Sequence, residues 1–210
     1  MVAPEVLEPR LELVEAGPVS AEGWQAAPPG PGTDWPVLLD LAVDRDYEVD
    51  CADAHVVDCG AQHGFFGAYA LARGASGVVS YEPDGCQFEA LARAAQGRPA
   101  WRTVHAAVGA RDGIERRSCP HGEESVRVVS LAEVLGRAAH DADRARVVVK
   151  LALGGTEARL IAATPLAAWA PVSTVLVASA DARKSLTRRL AVAGLELSRQ
   201  SNDVLHFTRA

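Results

Sequence analysis

Apolar and polar positions follow two different periods along most of the chain. From residue 54 onward, short runs rich in valine are separated by alanine- and leucine-rich stretches in which apolar residues recur every three or four positions. The short runs are typical of strands buried on both faces, and the longer stretches are typical of helices that connect successive strands. The predicted strands are Ala54–Cys59, Gly77–Tyr81, Arg102–Val108, Val126–Val129, Arg146–Leu151, Thr174–Ala178, Leu195–Gln200 and Val204–Thr208. The predicted helices are Phe65–Arg73, Asp84–Ala95, Leu131–Ala139, Glu157–Thr164 and Ala182–Ala193.

The connection between the last two predicted strands sets the topology of the C-terminal end. Only residues 201–203 separate them. Three residues are enough for a hairpin but too few for the crossover that a parallel pair needs. The pattern therefore predicts an α/β fold with a mostly parallel sheet, helices on both faces and an antiparallel C-terminal hairpin.

The first fifty residues depart from this pattern. Five prolines and three glycines fall between Pro18 and Pro36. Such a density disfavours both helix and sheet. We therefore expect residues 1–50 to form an N-terminal arm, which acts as a lid or as a contact in a homodimer, and residues 51–210 to form the domain.

Composition narrows the class of protein. A chain of 210 residues with 49% hydrophobic and 23% charged residues fits one domain. Its 21 Lys and Arg against 27 Asp and Glu give a formal charge of -6, which disfavours binding to nucleic acid or to an anionic membrane. Four cysteines without a C-x-x-C spacing favour neither disulfides nor structural zinc. With no basic and apolar leader and no long apolar run, we expect a cytoplasmic protein that acts on a small molecule.

The sharpest local motif follows the first predicted strand. Asp58 ends the strand, and Gly60 and Gly64 come just before a helical stretch. Such a turn lets a ligand approach the backbone and directs helix N–H groups at it. The dinucleotide fingerprint needs a second glycine where this chain has Gln62, so the motif favours a ligand without a pyrophosphate. A tight turn with no ligand is the alternative.

A second acid closes the next predicted strand. Glu82 lies 24 residues after Asp58, and Pro83 and Asp84 follow it. In a strand-helix-strand unit this spacing places Glu82 at the carboxyl end of the neighbouring strand, where a carboxylate accepts both hydroxyls of a ribose. Taken alone, Glu82 is better explained as a solvated acid in a turn. Together, the two motifs predict a nucleoside site.

Five blocks of sequence carry a family resemblance: Val57–Phe66, Tyr81–Asp84, His105–Gly109, Val129–Leu135 and Val149–Glu157. Together, and in this order, they resemble the FkbM family of S-adenosylmethionine-dependent methyltransferases. The resemblance implies a Rossmann-like class I methyltransferase fold, with a seven-stranded sheet into which the antiparallel seventh strand is inserted. It also implies S-adenosylmethionine as the cofactor, and a hydroxyl of a sugar or natural product as the usual acceptor.

The resemblance also assigns residues to the cofactor. Asp58 and the glycine turn would surround its methionine part, Glu82 would hold the ribose, and Ala106 and Ala107 would line the adenine. The full set of implied cofactor contacts is Asp58, Cys59, Gly60, Ala61, Gly64, Phe65, Glu82, Pro83, Ala106, Ala107 and Lys150.

The chain departs from the family at two acids. Where the family has Lys-Ile-Asp-Val-Glu-Gly-x-Glu, this chain has Ala152 and Gly154 in place of the first two carboxylates, and only Glu157 remains. Those carboxylates can orient an acceptor hydroxyl, take its proton or hold a divalent metal. We therefore expect no metal. The candidates for a catalytic group are His63, His105 and Glu157, although Glu157 is equally well explained as a cap of its helix.

Two functions remain open at the level of sequence. Methyl transfer from a sulfonium depends chiefly on placement, so an enzyme can work with little acid-base help. The first hypothesis is therefore an O-methyltransferase with a small-molecule acceptor. The alternative is a catalytically impaired pseudo-methyltransferase that serves as a cofactor-binding or scaffold subunit. Residues 111–125 show no diagnostic pattern, and their Arg116 and Arg117 either meet an acidic acceptor or belong to a solvated loop.

Overall fold

The computed structural model describes residues 45–119, 122–179 and 182–209, of which residues 45–50 are the described part of the predicted arm. The strands are β1 His55–Cys59, β2 Gly77–Glu82, β3 Trp101–His105, β4 Ala107–Gly109, β5 Gly113–Cys119, β6 Gly122–Ser130, β7 Val147–Leu151, β8 Val172–Ala178, β9 Leu195–Ser201 and β10 Val204–Arg209. The α-helices are α1 Phe65–Ala72, α2 Gly85–Ala95, α3 Leu131–Asp141, α4 Glu157–Ala163 and α5 Arg183–Val192. Single 3-10 turns span Arg45–Tyr47 and Leu166–Trp169.

Seven strands form the main sheet in the order β3-β2-β1-β7-β8-β10-β9. The pairs from β3 to β8 are parallel, and β10 is antiparallel to both of its neighbours. The C-terminal strand is thus inserted between β8 and β9. This confirms the predicted fold class, including the antiparallel hairpin.

Helices cover both faces of the main sheet, because successive side chains on each buried strand point to opposite sides. Val57 packs in the cluster that α3, α4 and α5 cover, whereas Val56 packs in the cluster under α1 and α2. Strands β1, β2 and β7 end at the same edge of the sheet because they run parallel. Their loops therefore meet there, and that edge is where α/β proteins bind ligands.

Two helix ends carry sequence signals that are common at such positions. The Asp84 side chain accepts a hydrogen bond from the Gln87 N–H at 2.9 Å, which makes it the N-cap of α2. Gly194 follows α5 with φ of 79°, a left-handed conformation that suits glycine after a helix. Within the described ranges, no helix has the length and apolar character needed to cross a bilayer.

The predicted strand Arg102–Val108 is wrong, and strand β5 was not predicted. The stretch Arg102–Val108 is divided into β3 and β4, and β4 leaves the main sheet to pair with β6. Strand β5 pairs antiparallel with β6, giving a second sheet in the order β4-β6-β5. The side chains of β5 from Gly113 to Arg116 are exposed, so this strand carries no apolar alternation for a pattern to detect.

Candidate functional site

A cleft of about 560 Å³ lies at the carboxyl edge of the main sheet. Five segments line it: the β1–α1 turn, the end of β2 with the start of α2, β4, β5 and the β7–α4 loop. Its size falls within the range of ligand sites in proteins. The lining residues are Gly60, Gln62, Tyr81, Glu82, Pro83, Asp84, Gln87, Ala107, Val108, Glu115, Arg116, Arg117, Ala152, Leu153, Gly154 and Thr156.

The β1–α1 turn packs tightly against the β7–α4 loop. Gly60 has φ of 75°, and a Cβ atom at this position would lie 2.0 Å from the carbonyl oxygen of Ala152. Only glycine fits there, because both the backbone conformation and the space exclude a side chain. The N–H groups of Gly60 and Ala61 both donate to the Tyr81 carbonyl at 3.0 Å, which ties the turn to the end of β2.

Glu82 links the first turn to the second. One carboxylate oxygen accepts the Gln62 N–H at 2.7 Å, and the other accepts the Asp84 N–H at 2.9 Å. Burial raises the pKa of Glu82, and the two N–H groups and the Lys150 ammonium only partly offset this effect. The carboxylate is therefore fixed in direction at the cleft, and it changes charge at a higher pH than an ordinary glutamate.

A buried ion pair supports the turn from beneath. The Lys150 ammonium donates to Asp58 at 3.0 Å and to the Gly60 carbonyl at 2.7 Å. Burial opposes the charge of Lys150, but the Asp58 carboxylate together with the Tyr47 and Cys59 side chains outweighs this effect, so the pKa of Lys150 is raised. Lys150 also lies 5.9 Å from the ring centre of Tyr47 and 6.0 Å from that of Phe66. The partner that a buried Asp58 requires is thus Lys150.

The β7–α4 loop has two successive glycines, of which Gly154 stands where the family has an acid. Gly154 and Gly155 have φ of 69° and 92°, and no atom lies within 4 Å of a Cβ built on either residue. Glu157 is fully buried, and one of its oxygens accepts the Leu153 N–H. Its second oxygen has no hydrogen-bond partner among the described residues. Glu157 therefore holds the loop by its first oxygen, as a capping side chain does.

The two histidine candidates lie apart from the cleft lining. The Nε2 atom of His105 is 3.1 Å from the Pro83 carbonyl oxygen, and its ring stacks on Phe88 at 4.7 Å. The His63 ring lies 6.3 Å from that of Phe65. Each imidazole ring thus lies against a nearby backbone or aromatic group, as is common for histidines near turns. Their assignment as catalytic groups stays a prediction.

The predicted cofactor contacts fall into two groups. Gly60, Glu82, Pro83 and Ala107 line the cleft. The other predicted contacts are not among the lining residues: Asp58, Cys59, Ala61, Gly64, Phe65, Ala106 and Lys150. Burial raises the pKa of the Cys59 thiol far above its usual range, so this side chain is a neutral core group.

Several lining residues were not among the predicted site residues: Gln87, Val108, Glu115 and Thr156. Arg116 and Arg117, for which the sequence left open an acidic acceptor or a solvated loop, also line the cleft. Gln87 could have been found, because the Asp84 cap places the first turn of α2 at the carboxyl edge of the sheet. The β5 residues carry no such signal. Among the residues that the structure describes, no group of three His, Cys, Asp or Glu side chains could hold a metal ion.

Comparison with known proteins extends the description of the fold. No family model and no curated protein matches the chain. The crystal structure of methyltransferase FkbM from Methylobacillus flagellatus KT is similar, with a TM-score of 0.54 and 15% identity over 81% of this chain and 47% of that one. A candidate RNA methyltransferase from Pyrococcus horikoshii has a TM-score of 0.48 and 16% identity over 86% of each chain. The M1A22 tRNA methyltransferase of B. subtilis has a TM-score of 0.46 and 15% identity over 77% of this chain and 62% of that one.

The first of these likenesses establishes a shared fold. The chain spans about half the length of the Methylobacillus protein. At 15% identity the common architecture does not carry an activity with it, because one fold hosts many functions. The expectation that this chain does not act on nucleic acid stays a prediction, as do the cytoplasmic location and the homodimer.

Proposed function

We propose that the chain is an S-adenosylmethionine-dependent methyltransferase that acts on a hydroxyl group of a small molecule. The observation that carries the proposal is Glu82, held at the end of β2 by the Gln62 and Asp84 N–H groups beside a cleft large enough for a nucleoside. Each carboxylate oxygen has a second lone pair, so both remain able to accept a hydrogen bond from a ribose hydroxyl.

The chain's own residues fit this cofactor in three respects. Glu82 accepts from the ribose hydroxyls, and Ala107 presents a small apolar wall for the adenine. Gly60 brings the backbone close to the methionine part because it has no side chain. Lys150 and Asp58 keep that turn in place from below. When bound, the cofactor supplies a methyl group activated by its sulfonium.

Catalysis in this cleft would rest on placement. Ala152 and Gly154 line the cleft at the positions of the two missing acids, and neither can take a proton. A displacement at a sulfonium methyl group gains most from holding the reactants in line and excluding water. The chain therefore contributes binding and orientation, and the acceptor hydroxyl loses its proton to solvent or to one of the candidate bases, His63, His105 or Glu157.

Ala152 and Gly154 also favour a second function. A pseudo-methyltransferase would keep the cofactor turns and lose the acids beside the acceptor, which is the pattern seen at Ala152 and Gly154. Such a chain would bind the cofactor and serve as a scaffold subunit. It differs from the enzyme in turnover and not in cofactor affinity.

Calorimetry followed by a transfer assay separates these functions. We expect S-adenosylmethionine and S-adenosylhomocysteine each to release or absorb heat when titrated into the protein at micromolar concentration. No heat with either ligand would remove the basis for both functions. Binding without transfer of a labelled methyl group to any member of a panel of sugars and hydroxylated aromatics would favour the scaffold. A crystal structure with S-adenosylhomocysteine would show what occupies the space beside Ala152 and Gly154.

A further inference from the structure

A row of buried polar side chains crosses the main sheet beneath the β1–α1 turn. Ser80 of β2, Asp58 of β1 and Lys150 of β7 are paired side by side in the parallel register, so their side chains share one face of the sheet. Ser80 and Asp58 are fully buried, and Lys150 is 7% exposed. One Asp58 oxygen accepts from the Lys150 ammonium at 3.0 Å, and the other accepts from the Ser80 hydroxyl at 3.5 Å. The row therefore satisfies both oxygens of a buried carboxylate.

Trp101 of β3 extends the row to a fourth strand. Its indole Nε1–H donates to the Ser80 hydroxyl oxygen at 2.9 Å. An indole N–H can only donate, so the Ser80 hydroxyl accepts this bond and keeps its own proton for Asp58. At the other end, Lys150 donates to the Gly60 carbonyl oxygen at 2.7 Å. A chain of hydrogen bonds thus runs through β3, β2, β1 and β7 in the order of the sheet, and it ends on the backbone of the β1–α1 turn.

The indole ring also contacts the other end of that turn. Gly64 is the N-cap of α1, and Gly67 lies in the first turn of the helix. A Cβ atom built on Gly64 would lie 3.0 Å from the Trp101 ring, and one built on Gly67 would lie 2.4 Å from it. The start of α1 therefore rests directly on the indole. Trp101 supports the β1–α1 turn at Gly64 by contact and at Gly60 through the chain of hydrogen bonds.

The packing of this face does not require polar groups. Two residues earlier in the same three strands, on the same face, the corresponding row is apolar and buried: Val78, Val56 and Val148. Burial of an ion pair costs desolvation free energy that a well-packed apolar set avoids. The polar row is the one next to the turn, since Asp58 lies two residues before Gly60. Its position favours a role in holding the turn over a role in packing the sheet.

Ser80 and Trp101 act on the cleft from a distance. Neither side chain is among the residues that line it. The turn that they reach carries Gly60 and Gln62, which do line the cleft, and the Gln62 N–H donates to Glu82. A shift of the turn would therefore move the backbone assigned to the methionine part of the cofactor, together with one of the two N–H groups that orient the Glu82 carboxylate.

We propose that Ser80 and Trp101 are positioning residues for cofactor binding. Through Asp58 and Lys150 they hold the Gly60 carbonyl, and with it the β1–α1 turn, in the place that S-adenosylmethionine requires. Two residues outside the cleft thereby contribute to cofactor affinity. This inference rests on the proposed methyltransferase function, because it assigns the turn to that cofactor.

Removal of one hydroxyl group tests the proposal. Ser80→Ala breaks the chain between Trp101 and Asp58 and leaves the residues of the cleft lining unchanged. We expect the affinity for S-adenosylhomocysteine, measured by calorimetry on the folded protein, to fall about tenfold. Ser173→Ala is the control, because the half-buried Ser173 hydroxyl donates to the Val147 carbonyl at 2.9 Å at the opposite edge of the sheet. A fall of less than twofold in Ser80→Ala would overturn the proposal, even if urea denaturation showed a loss of stability.

The indole signals give a readout that a purely structural role would not change. In proton–nitrogen NMR spectra of the isotope-labelled protein, S-adenosylhomocysteine should shift the Nε1–H resonance of Trp101, because the ligand contacts the turn at the end of the chain. Trp169 is the internal control, since it is also buried but packs in the cluster that α3, α4 and α5 cover. Trp101→Phe and Trp169→Phe assign the two signals. A Trp101 resonance that stays in place at saturating ligand would overturn the proposal.

The positioning role and the proposed function fail in different ways. If the wild-type protein binds no S-adenosylhomocysteine, the proposed function fails and the positioning role fails with it. If the wild-type protein binds this ligand and Ser80→Ala binds it equally well, only the positioning role fails.

Discussion

The two sides of the cleft are built differently. On the side of β1 and β2, Glu82 is held by two hydrogen bonds, Asp58 is paired with Lys150, and Gly60 has no room for a side chain. On the side of the β7–α4 loop, two successive glycines face open space, and the positions of two acids carry none. Hydrogen bonds, an ion pair and close packing thus hold the side assigned to the cofactor. On the side assigned to the acceptor, the two glycines have no such close neighbours.

This difference indicates which side of the cleft the structure constrains more strongly. A cofactor shared by many enzymes needs one fixed arrangement of backbone and carboxylate groups. An acceptor differs from enzyme to enzyme, and it is recognised by segments attached to the strand ends. Variants on the first side should therefore cost more stability and more cofactor affinity than matched variants on the second.

The largest effect should come from Lys150→Met. This change leaves the fully buried Asp58 carboxylate without its charged partner, and breaking a buried pair in this way costs about 3–5 kcal/mol. Urea denaturation measures the loss. Lys184→Met is the control, because Lys184 is exposed and is the other lysine of the chain.

A double variant tests the cause of that loss. Lys150→Met combined with Asp58→Asn removes both charges, so it should recover part of the stability lost by Lys150→Met alone. If Lys150→Met by itself costs no more than the Lys184 control, the ion pair does not support the turn, and the contrast between the two sides of the cleft is weaker than described.

A pair of glycine substitutions compares the two sides directly. Gly60 and Gly154 both have positive φ, of 75° and 69°, but only Gly60 has a neighbour within 4 Å of a built Cβ. Gly154→Ala should cost about 1 kcal/mol through backbone strain alone. Gly60→Ala adds overlap with the Ala152 carbonyl oxygen, so it should cost about 3 kcal/mol. Thermal or urea unfolding of the two variants would measure the difference, and equal losses would contradict it.

Most of the main sheet could be predicted from the sequence. Valine-rich runs such as the one from Val147 to Val149 are buried on both faces, so their composition by itself indicates a central strand. The three-residue connection between β9 and β10 dictated the antiparallel hairpin. Two residues of the site were also predictable from local signals, because Gly60 follows a buried strand as the first glycine of a tight turn and Glu82 closes the next strand at a fixed spacing from Asp58.

The second sheet and its share of the cleft were not predictable. Strand β5 carries exposed charged residues, and its strand pairing uses only backbone groups that every residue has. The partner of Asp58 was also hidden, since Lys150 is 92 residues away and meets it only through the pairing of β1 with β7. Contacts between distant segments depend on the fold and leave no local pattern.

The next largest effect after the glycine substitutions should be a loss of cofactor affinity. Glu82→Ala removes the acceptor for both ribose hydroxyls, and the loss of charge-assisted hydrogen bonds should weaken binding of S-adenosylhomocysteine by about 1.5–3 kcal/mol, or roughly 10- to 150-fold. Calorimetry measures this, with Glu89→Ala as the control because Glu89 is an exposed glutamate on α2. Unchanged affinity would show that the ribose assignment is wrong.

The ionisation of Glu82 predicts two trends with pH that have opposite signs, one in the stability of the protein and one in its affinity for the cofactor. Its pKa in the folded protein is raised above the usual value of 4.5, so its contribution to stability is present below that value and is lost as the pH rises through the folded-state pKa. Cofactor binding needs the ionised carboxylate, so affinity should rise over the same interval. The variant Glu82→Gln should remove both trends in the pH interval above 4.5. Trends of the same sign would contradict the assignment of the raised pKa to Glu82.

The smallest effect on cofactor binding should come from Ala152→Asp, which restores one acid to the acceptor side. Ala152 lines the cleft and has no positive φ, so an aspartate there causes no backbone strain. Gly154 is a poorer place for an acid, because its φ of 69° disfavours any residue with a side chain. We expect the affinity for S-adenosylhomocysteine to change less than twofold, and methyl transfer or its response to Mg²⁺ to change more. An equal change in both would place residue 152 in the cofactor pocket, and the two sides of the cleft would then be one site.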